Sequence, residues 1–249
     1  MTKVVLVTGG AKRIGKSICK KFHENEFSIV CHYNSSEDEA IKLKESLNSI
    51  RKDSVEVVQF DLNDINKYGS FCESVIEKFG RIDVLINNAS SFYSTPILES
   101  RQDAWDDLIN SNVKGPHEII KNLKKNLKEN LGVIINLSDA MIIRGMKDYS
   151  IYSIAKGGLE TLTKSLAKEL APEIRVNAVA PGAILLPTDG SSNEEKLIST
   201  IPLGRIGNEE DISSAVFHLY KNEYITGQIL RVDGCLLYTS PSPRDSRRS

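Results

Sequence analysis

Apolar residues occur along this chain in short unbroken runs, and each run is followed by a stretch where they recur every third or fourth position. Val4-Val5-Leu6-Val7 leads into Thr8-Gly9-Gly10-Ala11-Lys12-Arg13-Ile14-Gly15, after which Ile18, Cys19, Phe22 and His23 keep helical spacing. That order reads as strand, glycine loop, helix. Residues 27–33 form a second strand, and Ser36 followed by Glu39 opens a helix carrying Ile41, Leu43, Leu47 and Ile50. Residues 55–60 are a third strand. Asp64 is the expected cap of a helix with Phe71, Val75, Ile76 and Phe79 inward, and residues 82–87 are the fourth strand. A long helical region from Trp105 to Leu127 precedes a strand at 133–137. The next helix spans 152–170 and ends at Ala171-Pro172, where the proline disfavours helical backbone before it. Strand 175–179, a loop at 181–207, a helix capped by Asn208 and a strand at 228–232 complete the pattern.

Repeated strand-helix units require a parallel sheet, because parallel strands are joined by crossovers, and those crossovers are right-handed. The expected architecture is α/β: one doubly wound domain over residues 1–234, with a seven-stranded parallel sheet and helices on both faces. Such sheets bind ligands beyond the carboxyl ends of their strands, where the loops after Val7, Asn87, Leu137 and Val179 gather.

Composition narrows the function classes. The 249 residues are 40% hydrophobic and 26% charged, with a formal net charge of -1, which gives no electrostatic reason to expect nucleic acid or a membrane surface. The start has too short an apolar run for a signal peptide, and no run reaches membrane-spanning length. Cys19, Cys31, Cys72 and Cys235 lack metal-ligand spacing, so no metal site is expected and reduced, mostly buried thiols of a cytoplasmic protein are. Residues 235–249 are rich in Ser, Pro and Arg and suit neither strand nor helix. Their first part resembles a translated transposase sequencing adapter, and the segment is expected to be a non-native tail.

A glycine loop between strand and helix lets backbone N–H groups and the helix dipole hold a pyrophosphate. The second strand ends His32-Tyr33-Asn34-Ser35-Ser36, without the carboxylate that binds ribose hydroxyls in NAD proteins. A carboxylate there would repel a 2′-phosphate, whereas Arg13 and the hydroxyls of Ser35 or Ser36 would accept one, so the expected cofactor is NADPH.

Tyr152 and Lys156 stand four apart, on one face of a helix. A nearby ammonium favours a phenolate, so Lys156 is expected to lower the Tyr152 pKa and make it a usable acid or base. With Thr8 to Gly15, Asp61-Leu62, Asn87-Asn88-Ala89, Asn112, Pro181-Gly182 and Asp233-Gly234, the chain resembles the short-chain dehydrogenase/reductase family. That resemblance implies a Rossmann domain with Tyr152 as proton donor, Lys156 on the nicotinamide ribose, and Asn112 supporting a proton-relay water. Asp61 and Leu62 would flank the adenine. It also implies that Gly9, Ile14, Gly15, Asn88, Ala89, Ser90, Pro181 and Gly182 join Arg13 and residues 32–36 in holding the cofactor.

One position departs from that family. Where most members carry a serine thirteen residues before the tyrosine, this chain has Asp139, with Ser138 one place earlier. An ionised carboxylate only accepts hydrogen bonds, so it would repel a ketone oxygen and suit a heterocycle bearing N–H groups; the alternative is a register slip in which Ser138 serves. Phe92, after strand four, would stack on a planar ring. Arg13, His32-Tyr33, the run Asn88 to Tyr93, and Asp139-Ala140-Met141 followed by Tyr152 together resemble the pteridine reductases and bacterial dihydromonapterin reductases. The resemblance implies NADPH-dependent reduction of a dihydropterin by a homotetramer, with dihydrofolate and oxidised pterins as further candidates and Ser90, Phe92, Asp139 and Tyr152 around the substrate. Ser35 replaces an arginine, and Ile184 a serine, found in the protozoan enzymes.

The loop from Ala183 to Thr200 is the expected substrate lid, and Arg205 is expected to tie it to the helix at Asn208. Two rivals remain. One is a carbonyl reductase of the same family acting on 3-oxoacyl thioesters, against which Leu186 weighs, since many of those enzymes have threonine there. The other is a regulator that binds NADPH without turnover, against which Asn112, Tyr152 and Lys156 weigh.

Overall fold

Runs of Val and Ile favour strands because β-branched side chains pack well on a pleated surface. The computed structural model describes residues 2–184 and 194–238, and in it these runs become β1 (Val4–Val7), β2 (Ser28–Tyr33), β3 (Val55–Gln59), β4 (Val84–Asn87), β5 (Val133–Leu137), β6 (Arg175–Pro181) and β7 (Ile229–Val232). They form one sheet of order β3-β2-β1-β4-β5-β6-β7, and each neighbouring pair is parallel. The expected α/β sheet is therefore present in full.

Both faces of the sheet are covered, which is why its central strands read as continuous apolar runs. Alternate residues go to opposite faces. Val5, Val7, Ile29, Ile86 and Ile135 pack with α1 (Arg13–Glu24), α2 (Glu37–Ile50) and α8 (Glu209–Lys221) through Ile18, Phe22, Leu43 and Val216. Val4, Leu6, Val30, Leu85 and Ile134 pack with α3 (Tyr68–Phe79), α5 (Gly115–Glu129) and α6 (Ser150–Glu169) through Phe71, Val75, Ile119, Leu123 and Leu166. From β1 the chain winds outward to β3, then returns to place β4 on the other side of β1. This reversal opens a crevice at the carboxyl ends of β1 and β4.

Several local expectations change. Asp64 does not cap α3: Asp61 O and Asp64 O each accept a backbone bond in successive turns (2.9 and 3.1 Å), so the helix starts a turn later with Lys67 at its cap, and the Asp64 carboxylate pairs with Lys67 at 2.6 Å. The region 105–127 is helical throughout, as expected, but it is divided into α4 (Gln102–Ile109), a π-helical turn (Asn110–Lys114) and α5. Ser36 is the cap residue of α2 but makes no side-chain capping bond, and Glu39 pairs instead with Lys12 at 2.7 Å. A 3-10 turn (Ala140–Arg144) and α7 (Glu194–Ser199) occupy stretches read as loop. Leu236–Tyr238, in the segment set aside on composition, also forms a 3-10 turn; Leu236 is buried, and Asp233 caps the turn through the N–H groups of Cys235 and Leu237, both at 3.0 Å. Asn208 caps α8 in a reciprocal capping box with Asp211, and Arg205 binds the same carboxylate at 2.8 and 3.0 Å, as expected. Cys19, Cys31 and Cys72 are buried and unbridged, and Cys235 is exposed. No described helix is long and apolar enough to cross a membrane.

Arg175 had no assigned role in the sequence, yet its guanidinium donates to Leu219 O (2.9 Å), Tyr220 O (2.6 Å) and Ile225 O (2.8 Å), closing the carboxyl end of α8. Cations belong at that end of a helix, and charge-assisted bonds are worth about 1.5–3 kcal/mol each before context. Arg175→Met leaves those carbonyls unpaired, and we expect a loss of about 2–4 kcal/mol. A urea midpoint that is unchanged in this variant would refute the assignment.

Candidate active site

Thr8 fixes the corner of the glycine loop. Its hydroxyl donates to Ile86 O (3.3 Å) and accepts from the N–H groups of Asn88 (2.9 Å) and Ala89 (3.0 Å). The Asn88 side-chain amide donates in return to Thr8 O (2.9 Å) and Gly9 O (3.0 Å). Gly9 has φ 61°, a conformation that favours glycine. At Gly15 a Cβ would lie 2.1 Å from Gly9 O and 2.7 Å from the Asn88 amide nitrogen, so α1 abuts the loop as closely as its backbone allows. A helix start held against a turn in this way fits a pyrophosphate.

His32 is fully buried beneath this corner, where its Nδ1 accepts from Gly9 N–H (3.1 Å) and its Nε2 faces Phe60 O (2.9 Å). Nε2 therefore carries the hydrogen, and burial pushes the imidazole pKa down to about 4. Both nitrogens are engaged with backbone, so His32 shapes the loop and offers no hydrogen bond to a cofactor. Tyr33 likewise donates to Glu37 at 3.3 Å.

At the end of β5 two adjacent residues diverge. Ser138 donates to Glu160 Oε1 at 3.0 Å. Asp139 accepts from Met141 N–H at Oδ1 (2.7 Å) and from the Tyr152 hydroxyl at Oδ2 (2.9 Å). No register slip occurs: the carboxylate, not the serine, meets the Tyr152 hydroxyl.

Lys156 lies one helical turn beyond Tyr152 and is 3% exposed. Its ammonium donates to Leu137 O at 2.7 Å and sits 5.8 Å from the centre of the Tyr152 ring. Burial pushes its pKa down to about 8, partly offset by Asp139. The expected lowering of the Tyr152 pKa is reversed. Burial raises it well above the ordinary value, and the Asp139 carboxylate adds to this because accepting the phenol's hydrogen bond favours the protonated form. Tyr152 is thus held as a phenol.

Asn112 stands in the π-turn, fully buried. It donates to Ser91 O (3.0 Å) and Leu108 O (3.0 Å) and accepts from the Ser90 hydroxyl (2.7 Å). Its side chain ties the loop after β4 to the π-helical turn. Phe92, 54% exposed, stacks on Tyr149 at 4.8 Å with an interplanar angle of 16° and meets Tyr152 edge-on at 4.9 Å.

Two adjoining clefts collect these groups. The first, about 220 Å³, is bordered by Gly9, Ala89, Asp61 and Leu62 together with residues 32–36. The second, about 500 Å³, is bordered by Ile14, Asn88, Phe92, Asp139, Tyr152, Lys156, Pro181 and Gly182. Ser90 borders both, so together they make one groove across the switch point. Gly182 permits its closure, since a Cβ there would lie 2.6 Å from the Asp233 backbone. Arg13, with φ 49°, enters α1 and borders the second cleft, whereas Lys12 borders the first. Among the residues lining the first cleft, Lys12 is the one cation.

Of the expected lid, residues 185–193 fall outside the described residues, Leu186 included; Ile184 and Leu197 border the second cleft. Sequence reasoning missed Tyr149, Glu160 and Arg144. Helical spacing from Tyr152 could have found the first two, at three before and eight after. Arg144, which donates to Leu236 O at 3.0 Å, gave no such signal. Among the described residues no group of three or more His, Cys, Asp or Glu could hold a metal ion.

Comparisons with known proteins identify the family. The family model described as enoyl-(acyl carrier protein) reductase matches residues 9–236. The chain is 36% identical over 241 residues to a 3-oxoacyl-[acyl-carrier-protein] reductase of Staphylococcus aureus, covering 94% of this chain and 98% of that protein. It is 36% identical over 274 residues to pteridine reductase 1 of Leishmania tarentolae, covering 93% and 95%. A 3-oxoacyl-[acyl-carrier-protein] reductase of Thermotoga maritima is 34% identical over 244 residues, covering 94% and 98%. The chain belongs to the short-chain dehydrogenase/reductase family of nicotinamide-dependent oxidoreductases.

Proposed function

We propose that this protein is a cytoplasmic, homotetrameric NADPH-dependent pteridine reductase that reduces a dihydropterin such as dihydromonapterin or dihydrobiopterin. The observation that carries the reading is the hydrogen bond from Tyr152 to Asp139 Oδ2 at 2.9 Å. A carbonyl reductase needs donors converging on one oxygen, whereas here the phenol's partner is a carboxylate that accepts. A phenol and a carboxylate side by side complement a ring that presents both a nitrogen to be protonated and N–H groups to be held.

The adenosine end of the cofactor would lie in the first cleft, between Leu62 and the ends of β2 and β3, with Lys12, Ser35 and Ser36 meeting the 2′-phosphate. The pyrophosphate would rest on the loop from Gly9 to Gly15, with Arg13 reaching it from the second cleft, and Lys156 would hold the nicotinamide ribose. When bound, the nicotinamide supplies a hydride to the substrate ring. Phe92 would cover the substrate's outer face, and Asp139 would hold its N–H edge. The proton needed to balance the hydride comes from the Tyr152–Asp139 pair, delivered to the adjacent ring nitrogen. Lys156 keeps a positive charge beside the phenolate this leaves.

A second reading, reduction of a 3-oxoacyl thioester, is favoured by the 36% identity to the Staphylococcus enzyme, equal to that to pteridine reductase 1. Initial rates of NADPH oxidation with dihydrobiopterin, dihydromonapterin, dihydrofolate and acetoacetyl thioester separate the two. We expect turnover with the pterins, and turnover confined to the thioester would reject the proposal.

Asp139→Ser restores the residue type that suits a ketone. It is expected to lower kcat/KM for a dihydropterin by about 10²–10⁴, the usual range for a lost acid-base group, while leaving NADPH affinity unchanged. Equal kinetics in the variant would remove Asp139 from the mechanism. The pH profile gives a further check. Lys156 is required as a cation and has a pKa pushed down to about 8, so the charged form is present below that value and lost above it. Accordingly kcat/KM, which reports the free protein, should fall as pH rises through about 8; a flat profile to pH ~10 would contradict the role given to Lys156.

A further inference from the structure

Lys12 and Glu39 form an ion pair at 2.7 Å beside the first cleft, with side-chain exposures of 50% and 43%. Glu39 stands four residues beyond Ser35, in the acidic first turn of α2 formed by Glu37, Asp38 and Glu39. Its sequence position suits a capping box with Ser36, yet Ser36 makes no side-chain capping bond and Glu39 reaches instead across to the glycine loop. Lys12 is the one cation among the residues lining that cleft, and two further lining residues, Asp61 and Asp107, are acidic.

We propose that Glu39 is a resident counter-ion that a ribose 2′-phosphate displaces from Lys12, so that this carboxylate sets how strongly the protein prefers the phosphorylated cofactor. The inference rests on the cofactor reading above. A 2′-phosphate carries close to two negative charges, and it reaches Lys12 only by sharing an ammonium already engaged by a carboxylate. The same carboxylate, held at the cleft by that pairing, repels the incoming phosphate. A ribose with a 2′-hydroxyl calls on neither Lys12 nor the N-terminal end of α2, so Glu39 leaves its binding untouched. The free Ser36 hydroxyl and the start of α2 remain available to the phosphate once Lys12 turns to it.

Fluorescence titration of the full chain with NADPH and with NADH, for wild type, Glu39→Gln, Lys12→Met and the double variant, tests this. Glu39→Gln is expected to tighten NADPH about two- to five-fold, in keeping with an exposed pair, with NADH unchanged. The gain should shrink as salt rises from about 0.05 to 0.5 M, since screening weakens both the pair and the repulsion. In the Lys12→Met background the Glu39→Gln gain should fall to the repulsion part alone, giving a non-zero coupling between the two sites. Unchanged or weaker NADPH binding by Glu39→Gln, beside a clear wild-type preference for NADPH, overturns the proposal alone. Equal wild-type affinity for the two cofactors sinks the cofactor reading and the proposal with it.

Discussion

Everything at the site depends on the junction of β1 and β4, where the sheet order reverses and two strand ends that are far apart in sequence are held together. Thr8 and Asn88 make that junction, with hydrogen bonds running in both directions between the segments. The exchange satisfies backbone groups that leave the ladder at the strand ends and would otherwise lie half-buried without partners. It also leaves only glycine tolerable at Gly15, since anything larger would push α1 off the loop. A rigid corner at this point sets the start of one helix against the glycine loop while the neighbouring loop carries Ser90 and Phe92 to the edge of the second cleft.

A second anchoring runs through α6. Asn87 donates to Asn136 at 2.8 Å, Asn136 donates to Thr163 at 2.8 Å, and Lys156 reaches Leu137 O at 2.7 Å. These bonds pin β4, β5 and α6 at two heights, so Tyr152, one turn before Lys156, has little freedom relative to Asp139 at the end of β5. The burial that makes this rigid also sets the electrostatics. Desolvation disfavours the charge on Lys156 and on a Tyr152 phenolate alike. Burial and the Asp139 carboxylate therefore keep the proton on Tyr152.

The strands and their order of use were legible because the signals were local and redundant: unbroken Val and Ile runs, glycine after the first of them, and helical spacing between them. The residue facing Tyr152 was narrowed to Ser138 or Asp139 by its distance in sequence, and the structure decides between them because Glu160 takes the serine. What sequence could not supply were choices made by tertiary partners. Lys12 and Arg13 are adjacent and both basic, and which enters the first cleft depends on the backbone turn at Arg13, whose positive φ sends successive side chains to different clefts. The direction of the Tyr152 pKa shift was misjudged because spacing shows the neighbouring cation and hides the carboxylate and the burial. Glu39 read as half of a capping box for the same reason: its competing partner lies on another element.

Equal identity to a 3-oxoacyl-[acyl-carrier-protein] reductase and to pteridine reductase 1 is what this division of labour produces. Most of the chain builds a sheet, a phosphate-binding corner and a helix carrying tyrosine and lysine, and those needs are shared by any reductase of the family. Overall identity therefore measures the scaffold and is nearly silent on substrate. Discrimination falls to a few positions where a hydrogen-bond donor and an acceptor have opposite consequences. At residue 139 a serine would give a carbonyl oxygen a second donor, while the carboxylate found there withholds one and presents an acceptor. One such reversal at a part-buried position weighs more than many shared core residues, because a polar group left unpaired by a substrate of the wrong kind is costly.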